Sequence, residues 1–123
     1  MIINQGDVFW IQLEELESSY IHPHVVIQDN IINRSRVKTV VVCALTTNIK
    51  RAKAPGNVLL EEGEANLPKQ SVVVVSQVST VNNAQLGKFI GTLSSERINQ
   101  ILAGMQFLQL MTEHHETDKE NAN

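Results

Sequence analysis

Aromatic rings are nearly missing from this sequence: Phe, Trp and Tyr together supply 4% of its 123 residues. The core must therefore be aliphatic, and a platform of several rings for stacking nucleobases is excluded. Cysteine occurs once, at Cys43. No internal disulfide can form, and the apolar neighbours in VVVCAL point to a buried, inert thiol. No stretch approaches the roughly 20 apolar residues that span a bilayer. No basic stretch followed by an apolar run opens the chain, so the expected location is the cytoplasm. A glycine-rich phosphate loop and a nucleophile elbow are both missing. The run EHHE at 113–116 sets adjacent histidines in a polar stretch, which is not a closed ligand set, so neither a metal nor another cofactor is expected. Acid is missing locally as well, since residues 31–60 hold no Asp or Glu. Six of the ten Lys and Arg fall in that window: Arg34, Arg36, Lys38, Lys50, Arg51 and Lys53. The net charge is −3, so the window is either a solvated basic face or a local surface that attracts phosphate.

What is present is strand sequence followed by one helix. DVFWIQL is rich in strand formers and reads as a first strand. HVVIQ follows Pro23 as a second, since proline is tolerated where a strand begins. DNIINRSR has the Asp and Asn density of a turn. KTVVVCAL is apolar on both faces and reads as a central, covered strand. NVLLE and SVVVVSQVSTV supply two more, and a short strand is expected at 89–92. The period then changes. Ser94 is a helix N-cap with Glu96 in the first turn, and Ile98, Ile101, Leu102, Met105 and Leu108 form one apolar stripe. Phe107 and Met111 widen that stripe toward a subunit contact. EELESSY, before the second strand, reads as a loop. The expected architecture is mainly β with a C-terminal helix, a small curled antiparallel barrel in one domain over 1–112, with a polar disordered tail over 113–123.

Two polar clusters are candidates for chemistry. TTN, residues 46–48, ends the most buried strand, and its hydroxyls can donate to phosphate oxygens with Lys50, Arg51 and Lys53 close behind; the alternative is ordinary strand-end capping, which spacing alone favours. His22 and His24, flanking Pro23, share one face of an extended segment. They are either a general acid and base or exposed histidines at a strand start.

The ordered set GDVFWIQL, PHVVIQDNIINR, VVCALTTNIKRAKAPGNV and SVVVVSQVSTV, with the closing helix, resembles the MazF/PemK toxins of bacterial toxin–antitoxin systems over about residues 5–111. The resemblance implies an SH3-like barrel and a homodimer with a groove for single-stranded RNA. It implies metal-independent cleavage through a 2′,3′-cyclic phosphate, and an antitoxin whose disordered end folds across the groove. Catalysis would fall to Thr46 and to the position of His22, where the family carries arginine, with His24 assisting. RNA contacts would involve Gln28, Asn33, Arg34 and Gln77 together with Thr47, Asn48, Lys50 and Lys53. Ser79 stands where the family has another arginine, and Glu14, Glu15 and Glu17 border the groove with repelling charge. Two alternatives remain: a non-catalytic module on the same fold that binds RNA or an antitoxin, and a CcdB-like gyrase poison, which the chain's KENAN ending disfavours.

Overall fold

The computed structural model describes residues 1–13 and 21–121, with side chains to 112. Six strands form one antiparallel sheet: β1 (Asp7–Gln12), β2 (Ile21–Val26), β3 (Thr39–Thr46), β4 (Val58–Leu60), β5 (Ser71–Asn82) and β6 (Leu86–Thr92). Their order across the sheet is β4-β5-β3-β2-β1-β6. A short helix α1 (Asn30–Asn33) interrupts the turn between β2 and β3, and the long helix α2 (Ser95–Asn121) follows β6. The mainly-β reading with a closing helix therefore holds. β6 is longer than the 89–92 stretch expected, because its first residues are held by pairing with distant β1. The loop expected at 14–20, with Glu14, Glu15 and Glu17, lies outside the described residues. The α2 backbone is helical to Asn121, over most of the stretch read as a polar tail.

The sheet buries both faces, which is why β3 is apolar throughout. Alternation sends Cys43 and Leu45 to one side and Val40 and Val42 to the other. The first side joins Val8, Val25, Leu60, Val73 and Ile101 in a core that α2 covers through Ile98, Met105 and Leu108. The second side packs with Ile3, Phe9, Ile11, Val26 and Val81. Ser94 caps α2, its Oγ accepting from the Arg97 amide at 3.2 Å. Leu102 of the predicted stripe is partly exposed rather than buried, as are Phe107, Leu110 and Met111.

β4 and β6 are the two edges, and no ladder joins them among the described residues. The barrel expected from sequence is thus not closed by strand pairing. A 3-10 turn at Glu64–Asn66 bridges the gap instead. Asn66 Nδ2 donates to the Ile90 carbonyl at 3.0 Å, and the Ala65 carbonyl lies where a Cβ on Gly91 would sit, 2.3 Å away. The Arg97–Glu64 ion pair, at 2.9 Å, ties this turn to α2.

Inside β5 the ladder to β3 jumps from Cys43↔Val78 to Leu45↔Val73. Such an irregularity strands backbone groups that need partners. Two are met by side chains. Cys43 Sγ donates to the Val74 carbonyl at 3.0 Å, and the Val75 amide donates to Asn57 Oδ1 at 3.1 Å. Cys43 is fully buried, and burial pushes its thiol up to about 12, so it remains a neutral donor and not a nucleophile.

α2 docks through Gly104, whose Cα faces the backbone of the turn before β4. A Cβ there would lie 2.1 Å from the Gly56 carbonyl oxygen. Gly104→Ala should therefore cost about 1–3 kcal/mol through overpacking, although alanine is the better helix former by about 1 kcal/mol. Urea unfolding checks it, and a Gly104→Ala protein as stable as wild type would contradict this docking.

Candidate functional site

A cleft opens where β2 and β3 part. The Ile27 amide donates to the Val41 carbonyl at 3.0 Å, and β2 pairs with β3 as far as His24↔Ala44. Every second residue of β2 directs its amide at β3 in the same way. The donor due at position 23 would meet the carbonyl of Leu45, but Pro23 has no N–H. The β2–β3 ladder ends there. Ile21, His22 and Pro23 stay paired with β1, opposite Gln12, Ile11 and Trp10. Leu45 and Thr46 stay paired with β5, opposite Val73 and Val72.

The space between holds about 290 Å³, near the lower bound of small-ligand pockets, about 300 Å³. Trp10, Ile21, His22 and Pro23 line one wall, and Leu45, Thr46, Thr47, Leu67, Pro68, Lys69 and Ser71 line the other. His22 and Thr46, separated by more than twenty residues, thus face one space. The Thr46 Oγ1 accepts from the Asn48 amide at 3.2 Å, which leaves its proton to be donated to a bound group. The Asn48 side chain in turn caps the 3-10 turn Ile49–Lys53, accepting from the Lys50 amide at 3.3 Å. Lys50 and Lys53 are exposed on that turn. The TTN run therefore caps the strand end, and Thr46 and Thr47 of it also line the cleft.

The two histidines separate. His22 is exposed at the cleft, whereas His24 is 2% exposed. Strand parity does put them on one face, but the core reaches only to His24. Its Nδ1 lies 2.9 Å from the His22 carbonyl; a carbonyl only accepts, so Nδ1 carries the hydrogen. His24 thus braces the backbone of His22 and does not enter the cleft. Burial, before any other cause, lowers its pKa below the ordinary value of 6.5; the bond to His22 opposes this and the His22 charge adds to it.

The remaining expected contacts lie elsewhere. Gln28 and Asn33 bond each other, Gln28 Nε2 donating to Asn33 Oδ1 at 2.8 Å and Asn33 Nδ2 to the Gln28 carbonyl at 2.9 Å. Arg34 Nη1 donates to the Ile3 carbonyl at 2.5 Å, and Nη2 to Asn4 Oδ1. All three hold α1 and the N-terminal segment at the far end of β2, about 20 Å from His22 at the usual strand rise. Gln77 is exposed on β5, in the irregular stretch facing β3. Residues that the sequence did not single out are Trp10, one ring in the wall, and Lys69, which sits between Pro68 and Gln70 with no local pattern to mark it. Among the described residues no three His, Cys, Asp or Glu side chains gather as a metal ion would need. The 113–116 run lies beyond the described side chains. No described helix is long and apolar enough to cross a membrane.

Comparison with known proteins places these features in context. The family model for PemK-like, MazF-like toxins of type II toxin–antitoxin systems matches residues 4–108. The endoribonuclease MazF2 of Mycobacterium bovis is 30% identical over 109 residues, covering 86% of this chain and 96% of that protein. EndoA of Bacillus subtilis, also an endoribonuclease by name, is 29% identical with 86% and 93% coverage. Among solved structures, a mycobacterial endoribonuclease in complex with its cognate antitoxin superposes with a TM-score of 0.70 at 22% identity, covering 84% of this chain and 90% of that one. A MazE–MazF structure from Deinococcus radiodurans gives 0.73 at 14% identity, with 90% and 98% coverage. At those identities the structural likeness speaks to the fold.

The His24 geometry makes a pH prediction. A lowered pKa in the folded protein means the unfolded chain binds the proton more readily, so stability is complete above about pH 6.5 and declines as pH falls below it. Thermal melts from pH 7.5 to 5 should show wild type losing stability that His24→Gln, which keeps an N–H donor but does not titrate, retains. Parallel curves would contradict a neutral, buried His24.

Proposed function

The chain belongs to the PemK-like, MazF-like toxins of type II toxin–antitoxin systems, and on that premise we propose that it is an endoribonuclease cutting single-stranded RNA in the β2–β3 cleft. One observation carries the reading: Thr46 and His22 line the same space. A phosphodiester lodged there meets the Thr46 hydroxyl at a non-bridging oxygen. His22, as base, takes the proton of the neighbouring ribose 2′-OH; imidazole is the side chain suited to that near neutral pH. The 2′-oxygen then bonds to phosphorus and the bond to the 5′-oxygen breaks. The leaving oxygen takes a proton from water, which the open cleft admits. The products are a 2′,3′-cyclic phosphate and a 5′-OH. The nucleophile belongs to the substrate, so DNA is not cut, and no metal is required. Trp10 offers a face on which one base can stack.

The wider reading follows the family. The substrate is cytoplasmic RNA, and the partner is an antitoxin that covers the cleft. The exposed apolar residues of α2, Leu102, Phe107, Leu110 and Met111, support a homodimer. A second reading has one observation in its favour: His22 stands where the resemblance expects arginine, which would fit a site that binds without cutting.

Incubation with single-stranded RNA in EDTA separates the two. The nuclease reading predicts fragments ending in cyclic phosphate, lost by about 10²–10³-fold in Thr46→Ala and about 10²–10⁴-fold in His22→Ala. It also predicts no cleavage by His22→Arg, which brings a charge but no base. Binding without cleavage, with activity appearing in His22→Arg, would establish the binding module instead.

A further inference from the structure

Cleavage by this route puts a second negative charge on the phosphate oxygens as the 2′-oxygen attacks. A fixed cation aimed at that charge is commonly the largest contribution to such catalysis. An imidazole that serves as base is neutral when it acts, so His22 does not supply it. Among the described residues that line the cleft, one carries a permanent charge: Lys69.

Its surroundings hold it ready. Leu67 is 2% exposed and anchored in the core, and its carbonyl accepts from the Gly63 amide at 2.9 Å. Pro68 fixes the next φ. Beyond Lys69, buried Ser71 donates from Oγ to the Lys69 carbonyl at 2.9 Å. The backbone at Lys69 is thus pinned from both sides, while its side chain is exposed. Two nearby carboxylates are already engaged by other donors. Glu61 Oε2 accepts from Gln70 Nε2 at 3.2 Å, and Glu64 is paired with Arg97. Among the described residues no carboxylate pairs with Lys69.

We propose that Lys69 is the cation of this site, its ammonium contacting the non-bridging oxygens of the phosphodiester that lies between Thr46 and His22. The proposal rests on the nuclease reading above. It places the charge on the β5 wall, opposite the strand where the resemblance would put an arginine, and it makes the fixed-charge role of that arginine unnecessary at His22.

The test uses the full chain with two RNAs of one sequence: a ribose oligonucleotide for cleavage, and its 2′-O-methyl analogue for binding by fluorescence anisotropy across a salt series. Lys69→Gln should lower kcat by about 10²-fold and reduce the slope of log K against log salt by about 0.7, one phosphate contact on a single strand. Lys69→Arg should restore both, and Lys88→Gln, on β6, should change neither. Thermal melts confirm that each variant is folded. Wild-type kcat together with an unchanged salt slope in Lys69→Gln would overturn the assignment while leaving the nuclease reading intact. Wild-type protein that binds the analogue but cuts nothing would overturn the nuclease reading, and the slope alone would then decide whether Lys69 touches phosphate. No binding by wild type would overturn both.

Discussion

A missing hydrogen-bond donor shapes this protein's surface. Pro23 lies in the middle of a six-stranded sheet, at a point on β2 where a donor toward β3 is due. Because it has none, β2 keeps its pairing with β1 while β3 keeps its pairing with β5, and the two halves separate. Everything placed in the cleft follows from that. His22 is the residue before the proline, Thr46 ends the strand that turns away, and the segment 67–71 closes the mouth from the β5 side.

A sheet that splits at one end must be held firmly elsewhere, and the interior does so with few polar groups. The irregular pairing of β5 leaves carbonyl and amide groups inside the core, and Cys43 and Asn57 satisfy them. His24 performs a related task in the core beside the cleft, where a neutral buried ring holds the carbonyl of its exposed neighbour. The Glu64–Asn66 turn and its Arg97 tie replace the ladder that would have closed a barrel. Buried polar residues such as Cys43 and His24 therefore serve the backbone, while Thr46 and Ser71 both bond the backbone and line the cleft.

That division explains what sequence could and could not reveal. The both-face burial of β3 and the capped helix at Ser94 were legible because each is a local pattern with a fixed period. Cys43 was legible as buried and inert, though its hydrogen bond was not, since the partner carbonyl comes from a strand residue 31 positions away in sequence. Barrel closure was not legible, because whether the β4 and β6 edges meet depends on the turn between them. Thr46 and His22 were found as candidates, but their meeting depends on where a ladder stops. Lys69 was invisible: a lysine after a proline carries no signal until the chain folds it over the cleft. Gln28, Asn33 and Arg34 looked like groove residues, and the structure engages them in local bonds around α1 and the N-terminal segment.

Under the proposed function RNA lies in the split between β2 and β3 and not along the basic turn at the far end of β2. Isotope-labelled protein titrated with a short 2′-O-methyl single strand reports this directly through its NMR spectrum. The account predicts shifts concentrated at His22, Thr46, Thr47 and Lys69, with Gln28, Asn33 and Arg34 unmoved. Shifts confined to those last three, with the cleft residues silent, would contradict it.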